Sequence, residues 1–519
     1  MARSHFETAE LTYALAVGRV TPSGARVWLR AEDARELELR LFDRESGELC
    51  GRGRVAAEHA DRDYTESFEL LDVLTDGPAA GGRGLVPGRG YHLELREPGA
   101  ENLLASARFE TAPATPGETP ARFSFAVMSC HQPFDEEGNL VPLSLRMLRA
   151  TQKALRHHDV KFALHMGDQI YADAPECCSL FNPDFFASVA PAGRKALLEC
   201  TRHELRAIYH RRYHAFWGLP EYQLLQAECA TYPIMDDHEL IDNFGSDPRH
   251  AEPAWNQLRL GALDAFYDYQ ASRVLPGATF HQTPREFHYS FRYGACAVFV
   301  MDLRSQRYPR EDEIEVYSTE QLQALTRFLT DNADAALVAL VISVPMLYVD
   351  SWVANTAATF VGQASDAGDR WTLSQCARAR ERLLDAIRRH QRLHPAQRVL
   401  LLGGDIHVGC AFRLDWADGV PSLHQFTSSA LSNYTGRVMS WLAERVPYAA
   451  TTLESGDGGS GDVTLLDGTK GYDKNPFGGL NFGIVDVHLD SGRAELEFKL
   501  VSVRDDSEEP EVVFASGRV

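Results

Sequence analysis

The chain has 519 residues, more than the roughly 250 to 300 at which a single hydrophobic core stops growing, so two or three domains are expected. Its net charge of −21 argues against a surface for nucleic acids or anionic membranes. The sequence contains no apolar run approaching the ~18 residues of a membrane span, and its start has neither the apolar core of a signal peptide nor a twin arginine, so a cytoplasmic protein is expected. The nine cysteines are scattered without a CxxC pattern, which predicts reduced thiols.

Residues 1–112 are predicted to form a small all-β sandwich domain. Leu37, Leu39 and Leu41 alternate with charged residues, and residues 91–95 repeat this period of two. Turn residues separate such runs, as expected for a sandwich of short antiparallel strands. This region contains no cluster of metal-ligating residues, so the chemistry is expected further along the chain.

The pattern then changes to α/β. Proline-rich residues 113–121 are predicted to be a linker, and residues 122–519 to form one catalytic domain. A strand over 123–128, a helix over about 142–156 and a strand over 162–166 make a βαβ unit. The later predicted elements are a strand over 231–235, a helix over 255–274, strands over 286–294 and 295–302, a helix opened by a capping box of Ser318 and Gln321, a strand over 336–343, a helix over 372–393, a strand over 399–404, a loop over 455–480 and a closing hairpin that turns at 490–492.

Polar side chains follow the ends of four predicted strands. Ligands bind at the carboxyl ends of strands in open α/β sheets, so these side chains are candidates for one shared site. Taken singly, a Gly-Asp pair is typical of a turn, and the run DDHE at 236–239 could be an exposed acidic loop. Burying such a run without a cation would be expensive. The candidate metal ligands are Cys130, Asp168, Tyr171, Asp237, Asn243, Asp405 and His407.

Five polar motifs occur in a characteristic order: SCH at 129–131, GDQIYAD at 167–173, DDHELIDN at 236–243, DLRSQR at 302–307 and GGDIH at 403–407. This set of motifs resembles the alkaline phosphatase D type of the calcineurin-like metallophosphatase superfamily. The resemblance covers nearly the whole chain. It implies a two-sheet αββα sandwich with a multinuclear metal site, preceded by a small immunoglobulin/fibronectin-like sandwich.

The ligand set suggests two kinds of cation. Asp168 can bridge two metals at the ~3.5 to 4 Å separation used by two-metal hydrolases, and Asp237 and Asp405 offer hard oxygen donors. The thiol of Cys130 and the phenol of Tyr171 lie on the other side with His407, and a phenol with a pKa near ~10 loses its proton at neutral pH only to a strong Lewis acid. We therefore expect Fe³⁺ with a second divalent cation, which is Ca²⁺ in the resembled family and could be Mg²⁺ or Mn²⁺ here.

The predicted function is hydrolysis of small phosphate esters, as a phosphomonoesterase, a phosphodiesterase or both. A metal-bound hydroxide attacks phosphorus and His238 serves as the general acid for the leaving group. Glu239 or Asp236 would orient His238 or lie outside the site. Arg304 is the candidate for binding a substrate phosphate, with Arg307 as an alternative and an internal ion pair with Asp302 as the competing role.

Two other functions remain open at this level. A phospholipase-type phosphodiesterase would keep the metals and change the substrate. A catalytically inactive binding protein would use the β-sandwich to recognise a partner.

Overall fold

A computed structural model describes residues 4–81, 84–275, 283–347, 371–434, 436 and 451–519. Within them the strands are β1 (Ala14–Val20), β2 (Ala25–Arg30), β3 (Arg35–Asp43), β4 (Leu49–Ala57), β5 (Thr65–Glu69), β6 (Leu74–Asp76), β7 (Gly90–Arg96), β8 (Leu103–Glu110), β9 (Arg122–Met128), β10 (Val160–Met166), β11 (Ala230–Ile234), β12 (Tyr289–Tyr293), β13 (Cys296–Val300), β14 (Tyr308–Pro309), β15 (Ile314–Glu315), β16 (Leu337–Val341), β17 (Arg398–Gly403), β18 (Cys410–Trp416), β19 (Leu423–Thr427), β20 (Thr451–Glu454), β21 (Ser460–Leu465), β22 (Phe482–Asp490), β23 (Arg493–Val503) and β24 (Pro510–Arg518).

The α-helices of the described residues connect these strands. They are α1 (His5–Thr8), α2 (Leu70–Val73), α3 (Pro142–His157), α4 (Pro183–Val189), α5 (Arg202–Trp217), α6 (Pro220–Gln226), α7 (Pro253–Tyr269), α8 (Thr319–Asp331) and α9 (Ala377–Leu393). Each of these helices is too short or too polar to cross a lipid bilayer.

Strands β1 to β8 form two antiparallel sheets, with strand orders β1-β2-β5 and β6-β4-β3-β7-β8. The predicted alternation is present: Leu39 and Leu41 of β3 are fully buried and pair with Leu95 and Leu93 of β7. The three-stranded sheet packs against α7, where the indole of Trp28 donates a hydrogen bond to the carbonyl of Asp268 at 2.7 Å. The strands in this region are therefore as predicted, and the boundaries at residues 112 and 122 remain predictions.

Two mixed sheets carry the later strands except β14 and β15, which pair only with each other. One has six strands in the order β11-β10-β9-β22-β23-β24, and the other has eight in the order β12-β13-β16-β17-β19-β18-β21-β20. Their side chains meet in a shared core, where the rings of Phe426 and Phe498 stack with centroids 4.5 Å apart. The parallel strands β9, β10 and β11 of the first sheet and β17 of the second carry the predicted motifs at their carboxyl ends. The α/β class is therefore confirmed.

The all-apolar sequence of β16 follows from burial on both faces. Ala339 and Val341 belong to the core shared with the six-stranded sheet. Val338 and Leu340 belong to a second core that contains Leu325 of α8 and residues of α9. Such continuous apolar strands are typical of parallel sheets covered on both sides.

Several element boundaries differ from the predictions. The helix expected from residue 372 begins as an α-helix at Ala377. Part of the expected loop over 455–480 is strand β21, which pairs with β18. The final hairpin turns at Ser491 and Gly492 as predicted, but β24 extends the sheet beyond it. Loop-like composition in β21 was misleading because pairing with a neighbouring strand overrides weak local preference.

The predicted capping box of α8 forms only in part. The Ser318 side chain accepts a hydrogen bond from the Gln321 backbone N–H at 3.0 Å. The Gln321 carboxamide instead bonds the backbone of Asp302, accepting from its N–H and donating to its carbonyl, both at 2.8 Å. This pairing ties α8 to the loop that follows β13.

Candidate metal centre

Two glycines allow the strand ends to approach each other. A Cβ atom on Gly167 would lie 2.3 Å from the Cβ of Asp236, and one on Gly404 would lie 2.4 Å from the Oγ of Ser129. Gly167 thus brings the ends of β10 and β11 together, and Gly404 brings the end of β17 against that of β9. The glycine of each Gly-Asp motif is required by this close packing.

Five of the seven predicted ligands have left-handed backbone conformations. The φ angles are 60° for Cys130, 55° for Asp168, 56° for Asn243, 63° for Asp405 and 54° for His407. Only nine non-glycine residues of the described chain have positive φ, so these residues are concentrated at the strand ends. Because this region costs an L-residue roughly 1 kcal/mol or more, the concentration indicates strain held for a functional purpose.

Asp168 lies at the centre of the softer ligands. The Cys130 thiol is 3.2 Å from Asp168 Oδ2, and the Tyr171 hydroxyl is 3.4 Å from the same oxygen. The Tyr171 hydroxyl is also 3.5 Å from Nε2 of His407. Thiol, phenol, imidazole and carboxylate therefore face one small volume.

The carboxylate side of the site contains Asp168, Asp237 and Asp405. Ligand atoms of Asp168, Asp237 and His238 lie within 4.8 Å of one another, as do those of Asp236, Asp237 and Asp405. The Asn243 backbone N–H donates to Asp237 Oδ2 at 2.6 Å, whereas its buried side-chain Nδ2 has no hydrogen-bond partner. A carboxamide turned by 180° presents its oxygen at the same position, so this unpaired group fits a metal ligand.

The electrostatics of these groups also fit cations. Burial, followed by the charges of Asp168 and Asp405, raises the pKa of the Cys130 thiol well above its usual value. Burial likewise raises the pKa of Asp168, and neighbouring Asp237 and Asp236 raise it further against the opposing effect of His238. A multivalent cation reverses this situation by stabilising the anionic forms. The donor set thus suits bound metal ions.

His238 is held by Asp173. Its Nδ1 lies 2.7 Å from Asp173 Oδ1, and its ring lies 4.1 Å from the ring of Tyr171. Burial lowers the pKa of His238, but the attraction of Asp173 and Asp237 outweighs burial and leaves the pKa well above its usual value. The partner of His238 is therefore Asp173 and neither of the two candidates, Glu239 and Asp236.

The carboxylate of Glu239 binds the backbone at the ends of β10 and β11. Its carboxylate accepts backbone N–H bonds from Asp168 at 2.9 Å, Gln169 at 2.7 Å and Asp236 at 2.8 Å. These bonds connect the loops after β10 and β11 and fix the position of Asp168.

Arg304 is fully buried beside the carboxylates. Its Nε donates to Asp236 Oδ1, and its Nη2 is 3.7 Å from Asp237 Oδ1. The competing expectation was an ion pair with Asp302, whose carboxylate accepts the backbone N–H groups of Arg304 at 3.0 Å and Ser305 at 2.9 Å. Arg307 donates from Nε to the Ser246 hydroxyl at 3.0 Å.

Sequence reasoning missed two residues in the loop after β19. Ser429 Oγ donates to the Cys130 sulfur at 3.0 Å and accepts the His407 backbone N–H at the same distance. Asn433 Nδ2 lies 3.2 Å from the Tyr171 hydroxyl and 3.1 Å from His407 Nε2. The polar run at 428–433 was visible in the sequence, but nothing local connected it to the site.

Comparisons with known proteins identify the family of the chain and a solved structure with a similar fold. The profile of the PhoD-like phosphatase family matches residues 125–453. The solved structure of PhoD is similar, with a TM-score of 0.64, 15% identity and coverage of 96% of this chain and 87% of that chain. Two β-glucuronidase structures, from Bacteroides uniformis (11% identity; 77% of this chain, 41% of that chain) and Dictyoglomus thermophilum (9%; 76% and 54%), have TM-scores of 0.24 and 0.23, too low to carry an argument. A search of curated proteins found no match.

The chain belongs to the PhoD-like phosphatase family. The resemblance drawn from the motifs is thereby confirmed, as is the prediction of a phosphoric ester hydrolase. The family is metal-dependent, and the structure has candidate metal-binding clusters at the predicted strand ends.

Proposed function

We propose that the protein hydrolyses small phosphate esters at the cluster around Asp168. The observation that carries this proposal is the position of Asp168, whose carboxylate faces Cys130 and Tyr171 on one side and Asp237 on the other. A carboxylate shared by two ligand groups is what a two-cation phosphoryl site requires. Membership of a phosphatase family supports the same reaction class.

Cys130, Tyr171 and His407 would hold Fe³⁺, and Asp237, Asn243 and Asp405 would hold a divalent cation, Ca²⁺, Mg²⁺ or Mn²⁺, with Asp168 between them. When bound, the cations would supply Lewis acidity that activates water and neutralises charge on phosphoryl oxygens. The unpaired side-chain Nδ2 of Asn243 and the buried carboxylates of Asp168 and Asp237 support this assignment.

His238 would donate a proton to the leaving oxygen. Its Nδ1 is engaged by Asp173, which leaves Nε2 as the nitrogen that can deliver the proton. Burial lowers the pKa of His238, but Asp173 and Asp237 raise it above its usual value, which favours the protonated ring that a general acid requires. Asp173 serves as the positioning residue for this imidazole.

We assign Arg304 the role of positioning Asp236 and Asp237. Its predicted contact with a substrate phosphate would require the guanidinium to leave a fully buried ion pair. Breaking such a pair typically costs about 3 to 5 kcal/mol, so the internal role is favoured.

We also propose that the six- and eight-stranded sheets are the two-sheet αββα sandwich of the metallophosphatases. The antiparallel sheets of β1 to β8 would then be the immunoglobulin/fibronectin-like domain. Stacking of Phe426 on Phe498 between the two mixed sheets supports the first assignment.

Metal analysis of protein purified without chelator, combined with rates on a panel of phosphate mono- and diesters, tests the function. We expect iron with a second metal and hydrolysis that a chelator abolishes. Hydrolysis that persists in the metal-free protein would contradict the proposal. The panel also decides between monoester and diester preference, including phospholipid headgroups.

A further inference from the structure

Two adjacent cysteines lie on the loop that follows the metal-site motif. Cys177 is the one exposed residue among the nine cysteines, and Cys178 beside it is 3% exposed. Their sulfur atoms are 3.3 Å apart, within contact distance and with no other residue between them. The metal site proposed above uses neither cysteine.

A network of hydrogen bonds holds this loop in place. The Cys178 backbone N–H donates to the Pro175 carbonyl at 2.9 Å, which closes a short 3₁₀ turn over Glu176–Cys178. The buried guanidinium of Arg212 donates to the carbonyl of Cys178 and, from Nε, to the carbonyl of Tyr171 at 3.0 Å. The two thiols therefore stay adjacent because their backbone is fixed, and the same arginine ties them to a predicted metal ligand.

We propose that Cys177 and Cys178 are an oxidation site that closes to a disulfide between neighbouring residues when the protein meets a peroxide. The Cys177 thiolate attacks one peroxide oxygen and the O–O bond breaks, giving a sulfenic acid and, after proton uptake, water or an alcohol. The Cys178 sulfur then attacks the Cys177 sulfur; the S–O bond breaks, a second water leaves, and the S–S bond forms. Overall the two thiols lose two protons and two electrons, and the peroxide is reduced to two molecules of water or to an alcohol and water.

Accessibility decides the order of these steps. A peroxide reaches the exposed sulfur of Cys177 directly, whereas Cys178 is covered. Burial, followed by the neighbouring Cys177, raises the pKa of the Cys178 thiol to about 12. Cys177 is therefore the sulfur that is oxidised first, and Cys178 is the sulfur that resolves it.

Mass spectrometry of the full chain after hydrogen peroxide treatment tests the proposal. The peptide with both cysteines should lose two hydrogen atoms, resist alkylation by iodoacetamide and regain both properties after dithiothreitol. Cys177→Ser should abolish the loss. Cys50→Ser, which removes a half-buried thiol elsewhere, should leave it unchanged.

A third variant keeps the test sharp. Cys178→Ser removes the resolving sulfur, so Cys177 should accumulate as a sulfenic acid that reacts with dimedone, or as more oxidised acids. In the unchanged protein, three results would overturn the proposal: a sulfinic acid at Cys177 as the main product, a disulfide that joins two chains, or an unreacted pair.

Discussion

Nδ1 of His238 lies 2.7 Å from Oδ1 of Asp173, five residues after the central carboxylate Asp168. The second oxygen of Asp173 accepts the backbone N–H of Asp242 at 2.8 Å. Asp173 is thus fixed from two directions, and its contact with Nδ1 fixes the orientation of the imidazole. In catalytic triads a carboxylate orients the histidine through the same kind of contact.

Replacement of His238 by alanine should be selective for the leaving group. General acid catalysis contributes roughly 10² to 10⁴ in rate and matters little when the leaving group is a stable anion. His238→Ala should therefore cripple hydrolysis of alkyl phosphates and spare much of the rate on p-nitrophenyl esters, with bound iron unchanged. Asp173→Asn should show the same selectivity in weaker form. Equal losses on both ester types would refute the general-acid role.

Asp168→Asn should abolish hydrolysis without unfolding the protein. Asparagine tolerates the left-handed backbone at φ 55°. The change also removes a buried carboxyl group whose pKa is raised by burial and by Asp237, which shows that its charged form is unfavourable without cations. In chelator its melting temperature should equal or exceed that of the unchanged protein. Asp159→Asn is the matched control, because Asp159 also has positive φ but is exposed. A mutant that fails to fold would make Asp168 structural.

The purified protein should be coloured. Ferric iron bonded to a phenolate or thiolate absorbs visible light, so Tyr171→Phe should shift or bleach the band. Tyr209→Phe removes a buried hydroxyl that donates to the Leu240 carbonyl at 2.8 Å, and should leave the absorption spectrum unchanged. A colourless, iron-free and fully active preparation would contradict the ligand roles of Cys130 and Tyr171.

Arg304→Met should destabilise the fold by about 3 to 5 kcal/mol, because it removes the cationic partner of the buried Asp236 carboxylate. Arg202→Met provides the comparison: its partner is Asp264, but its side chain is 46% exposed against 0% for Arg304. Because the Arg202 side chain is half exposed to water, although Asp264 is buried, we expect a smaller loss than for Arg304. Denaturant unfolding and KM should be measured together. A raised KM with unchanged stability would instead indicate that Arg304 binds the substrate.

Stability should fall as pH rises from about 4.5 to about 7 through Glu66. Burial foremost raises its pKa from 4.5 to about 7, with Glu58 and Asp268 adding to the effect of burial and Arg62 opposing it. The folded state binds the proton more tightly than the unfolded state in this window, so deprotonation costs stability, about 1 to 2 kcal/mol after allowance for solvent screening. Glu66→Gln should flatten the profile, whereas Glu58→Gln at an exposed neighbour should reduce the slope only slightly, because burial is the main cause of the raised pKa of Glu66. Equal pH profiles for Glu66→Gln and the unchanged protein would refute this.

Site residues that directly follow a strand could be predicted from the sequence, because apolar runs and Gly-Asp pairs are local patterns. Residues that reach the site across the fold were not. Asn433 follows the short strand β19, whose place beside β17 depends on long-range parallel pairing. Arg304 was expected to pair with Asp302, two residues away, but nearby backbone N–H groups occupy that carboxylate and the guanidinium reaches Asp236 instead. Sequence proximity indicates possible partners but does not rank them.

The ligand set is divided between the two mixed sheets. The loops after β9, β10 and β11 carry Cys130, Asp168 and Asp237, whereas the loop after β17 carries Asp405 and His407. Neither sheet alone holds the complete set of predicted ligands, so the proposed cation site can form only after the two sheets have docked. The time course of metal binding during refolding should therefore report when the two sheets dock. A chain in which each sheet has formed but the two have not docked should bind no metal at this site.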